Sequence, residues 1–179
     1  METTGEFLAE AERSFAFLRD RYGFGAAVGE QVPLATFPHG RSSISEAPHT
    51  GLDHVAAFVR FRSSTVVVEL VNDPRGEMTC QLWRTEQPTE TRVDLWHLLG
   101  FVQAPEFTDG GWVYEYGTTS FKRVIEALAS SLGRYGERWL RDDRGAWAAL
   151  TQWWADGMPE RSYTGLHRLH THGQPGEAR

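Results

Sequence analysis

Apolar residues in this chain recur with two periods, and the period changes along its length. Over residues 3–22, Phe7, Leu8, Ala11, Phe15, Leu18 and Tyr22 return every three or four positions with charges between them. That spacing predicts one amphipathic helix, stopped at Gly23. Residues 24–52 are rich in Gly, Pro and Ser, which predicts a strand over 32–37 and a mobile loop over 38–52. The period then becomes two. In "HVAAFVRFR", 54–62, Ala57, Val59 and Phe61 share one face, and Phe58, Arg60 and Arg62 share the other. "TVVVELV" is β-branched and groups Val66, Val68 and Leu70. Asp73-Pro74-Arg75-Gly76 has the residues of a type I turn, and Met78, Cys80 and Leu82 supply the next apolar face.

Helical spacing then returns. "VDLWHLLG", 93–100, reads as a short helix capped by Asp94, with Leu95, Leu98 and Leu99 facing the sheet. Residues 101–118 read as a loop with one short strand. Phe121, Val124, Ile125, Leu128, Leu132, Tyr135 and Trp139 form the longest apolar stripe, interrupted at Gly133 and Gly136, where a kink or close packing is expected. Asp142 or Asp143 caps a last helix, "RGAWAALTQWWADG". The pattern predicts an α+β fold: an N-terminal helix, an antiparallel four- or five-stranded meander, and a C-terminal helix pair packed on one sheet face. The domain is expected over residues 1–156, with 157–179 as a tail.

Composition narrows the function classes. Hydrophobic residues at 40% and charged residues at 23% suit a folded globular chain. The net charge of -6, with basic residues scattered among acids, argues against nucleic acid, which needs a clustered basic surface. One cysteine, Cys80, allows no internal disulfide and reads as a small core residue. No apolar run approaches the ~20 residues of a membrane span, and the N-terminus lacks a signal-peptide core. A cytoplasmic setting is expected.

Catalytic chemistry finds little support. Gly23, Gly25 and Gly29 follow a helix instead of a strand, so they make a poor dinucleotide fingerprint. His167, His170 and His172 lie close together without a neighbouring carboxylate or thiolate, so no metal centre or cofactor is expected. Should a pocket exist, its candidates are Glu69, His54 and His97, the last two lying near Asp53 and Asp94. Glu69 is the acid within an apolar strand run, and simple alternation places it towards solvent. Seven tryptophans are many for 179 residues. Trp147, Leu150 and Trp154 share a helix face that should pack on the long helix, while Trp153 projects about 100° from Trp154. The tryptophans read either as a wide core or as an aromatic patch for a partner, formed by Trp112, Trp153 and Trp154.

Four short motifs occur in a suggestive order: "FAFLRDRYGF", "NDPRGE", "LWHLL" and "LGRYGERWLRDDRGAW". Over about residues 7–150 the chain resembles a loosely defined group of small actinobacterial, immunity-like α+β proteins. The resemblance implies an accessory role exercised by binding a partner and carries over no catalytic residue. The 38–52 loop and the histidine-bearing tail depart from the group's pattern. The expectation is a non-catalytic protein that binds another protein, a basic one given the net charge, through an acidic and aromatic surface. A small-molecule binder or enzyme with a pocket between sheet and helices is the alternative, and a homodimer joined at a sheet edge or through Trp153 is a third.

Overall fold

A computed structural model describes residues 4–33, 55–72, 78–86, 92–105 and 121–156. Five antiparallel strands run in sequence order across one sheet: β1 (Val28–Pro33), β2 (Val55–Arg62), β3 (Val66–Asn72), β4 (Met78–Arg84) and β5 (Val93–Asp94). Helices α1 (Thr4–Ser14) and α2 (Ala16–Tyr22) precede them. Following them are α3 (Leu95–Phe101), α4 (Phe121–Tyr135), α5 (Glu137–Leu140) and α6 (Arg144–Ala155). The α+β architecture is the one the apolar periods predict.

Strand register explains which side chains the helices cover. Val59, Leu70 and Cys80 are cross-strand neighbours, as are Phe61, Val68, Leu82 and Val93. These residues form one core with Phe7, Phe15 and Leu18 from the N-terminal helices and Leu98, Ile125, Leu132, Trp139 and Leu150 from the later ones. Burying side chains of this size contributes about 1.5–3 kcal/mol each, which offsets the ordering of strands and helices. Cys80 lies within this core, and burial pushes its thiol well above the usual range, so it stays protonated.

The N-terminal helix is not continuous. It breaks at Phe15, which is fully buried and stacks on Phe61 at 5.6 Å and on Phe17 at 6.0 Å. Packing of that ring outweighs helical continuity. Gly23 then ends α2 in the left-handed region, at φ 70°, where glycine carries no Cβ penalty. The first strand begins at Val28, four residues before the position its strand-forming residues suggest. Gly29 and Glu30 have low strand propensity, yet they pair with Val59 and Phe58. A Cβ on Gly29 would come 3.3 Å from Leu8 Cδ2, so α1 lies close over this edge. The expected Asp73–Gly76 turn, the 38–52 loop, most of the 101–118 segment and the 157–179 tail lie outside the described residues.

In the helical layer the stripe breaks at Gly136. A Cβ there would meet Leu132 Cδ1 at 2.5 Å and the Leu132 carbonyl oxygen at 2.6 Å, so only glycine fits. Gly133 faces Phe17, which a Cβ would meet at an ordinary 3.7 Å. The two aspartates that follow divide two tasks. Asp143 caps α6 by accepting from the Ala146 N–H at 3.0 Å. Asp142, at φ 55°, accepts from Arg84 Nε at 2.6 Å and Nη2 at 3.2 Å, which clips β4 to the α5–α6 turn. Gly136→Ala should lower stability by about 1–3 kcal/mol through overpacking, read as a reduced urea midpoint with an unchanged m-value.

Candidate functional site

Alternation puts a second set of side chains on the sheet face away from the helices, and this set is unusual. The register aligns Val28, Arg60, Glu69, Gln81 and Asp94 in a single row across all five strands. Adjacent rows on that face carry Phe58, Val71 and Thr79, and Arg62, Val67 and Trp83. Phe58, Val67, Val71 and Trp83 are all buried. Glu69 is buried completely, at 0% exposure, which overturns the solvent-facing position that alternation suggested.

A carboxylate in that position would be costly without partners, and it has two. Arg60 Nε donates to Glu69 Oε2, and Arg92 Nη1 donates to Oε1 at 3.0 Å. Arg60 also donates through Nη1 to Glu30 Oε2 at 2.8 Å, on the exposed edge strand. Arg92 lies over the Trp83 ring, 4.3 Å from its centroid, a cation–π contact. The cluster grades from wet to dry: the Arg60 side chain is 33% exposed, Arg92 15%, and Glu69 not at all. Both Glu69 oxygens are thus engaged by guanidinium groups.

Asp94 closes the row and starts α3. Its side chain accepts from the Trp96 N–H at 2.8 Å, as the sequence suggested for a cap. The residue keeps some exposure, but burial of the carboxyl raises it to about 6, against the lowering effect of that hydrogen bond. One turn later, His97 is partly buried; desolvation lowers its imidazole to about 4, and its buried Nδ1 has no hydrogen-bond partner. His97 is therefore neutral at pH 7.

The His97 ring meets Trp154 at 4.0 Å between centroids, 62° between planes. Trp154 is 42% exposed, whereas Trp153 is partly buried and meets Phe101 edge-on at 5.7 Å. The expected facing of these two neighbours is reversed: Trp147 and Leu150 pack inward as predicted, but Trp153 follows them and Trp154 turns out. The α6 helix ends at Ala155, and Phe101 provides an edge that draws Trp153 in.

Of the pocket candidates, Glu69 sits on the sheet face away from the helices, and His97 sits on α3 against Trp154 of α6. His54, Trp112, His167, His170 and His172 lie outside the described residues. Among the described residues no group of three or more His, Cys, Asp or Glu could hold a metal, and no helix is long and apolar enough to cross a membrane. Sequence reasoning missed Arg92, Trp83 and Gln81. The one available signal was the placement of Glu69 inside "VVVELV", where a charge on a two-sided buried strand demands partners. Comparison with family models, curated proteins and solved structures finds no match.

The titrations of Asp94 and His97 act on stability with opposite signs. A carboxyl raised to about 6 takes up its proton earlier in the folded state, so folding gains stability as pH falls from about 6 towards 3.8. An imidazole lowered to about 4 resists protonation when folded, so stability is lost as pH falls from 6.5 towards 4. Relative to the parent, Asp94→Asn should therefore lose stability, and His97→Gln should gain it, between pH 6.5 and 4 in urea titrations. Parallel pH profiles for all three proteins would contradict both shifts.

Proposed function

We propose that this protein works by binding another protein and catalyses no reaction, in the immunity-like or accessory manner that its motif order suggests. The contact surface is the corner where α6 ends beside α3. The observation that carries the reading is Trp154: a large aromatic side chain 42% exposed, seated edge-on against a neutral, partly buried His97. Tryptophan presented on a rigid support is the residue type that most often dominates protein–protein contacts. Trp153 and Phe101 behind it limit how far the corner can move.

Two further facts favour binding over chemistry. Both carboxylate oxygens of Glu69 are committed to arginines, and the Asp94 carboxylate is committed to a helix cap, so neither is poised as a general base. The net charge of -6, with Asp156 exposed two residues from Trp154, suits a basic partner and a cytoplasmic setting.

Affinity-tagged full-length protein, recovered from its source cells, tests the reading. The parent should retain one protein near stoichiometry, and Trp154→Ala should weaken that complex roughly thirtyfold, the size of a hot-spot loss. Equal retention by both proteins, or no retained protein, overturns it.

A further inference from the structure

We draw no further inference here: the strongest candidate, the buried sheet face away from the helices around Phe58, Val67, Val71 and Trp83, carries none because nothing among the described residues shows what covers it.

Discussion

A carboxylate with no exposed surface, at the middle of the central strand, is the constraint around which the sheet is arranged. Glu69 is accommodated in that position by Arg60 and Arg92, which reach it from either side. Each arginine is held in turn, one by Glu30 on the edge strand and the other by the Trp83 ring. Strand order, register and the far-face side chains are therefore linked, since a slip of one residue would turn Glu69 into the apolar core. Replacing such a pair by apolar residues is often neutral or stabilising in other proteins.

Asp94 connects this face to the helical layer. It is the last member of the polar row through its pairing with Gln81, and it caps the helix that carries His97. His97 in turn supports Trp154. One short helix thus spans the distance from the charged row to the exposed corner, and it is pinned at one end by a carboxyl that titrates near 6. The opposite end of the helical layer is fixed differently, by the Arg84–Asp142 clip and the tight turn at Gly136. Rigid supports on both sides leave Trp154 projecting from a fixed frame.

Much of this architecture was legible in the sequence, because apolar spacing reports burial directly. The inward faces of β2, β3 and β4, the Asp94 cap and the interruption at Gly136 all followed from local pattern. Features decided by distant packing did not. The break at Phe15 depends on Phe61, and the start of β1 at Val28 depends on α1 crossing Gly29. The exchange of Trp153 and Trp154 depends on where α6 stops and on the Phe101 edge. Glu69 shows the limit most clearly. Alternation gave its face correctly but not its burial, because burial of the far face and the approach of Arg92 are tertiary facts that no period of two encodes.

A double-mutant cycle between Glu69 and Arg92, using Glu69→Gln, Arg92→Met and the pair together in urea denaturation, tests the central claim most directly. A charge held inside the sheet by mutual pairing predicts that the two single losses exceed the double loss, with a coupling of about 1–3 kcal/mol. Additivity within about 0.3 kcal/mol would mean that the two groups ignore one another, and the buried row would not exist as described.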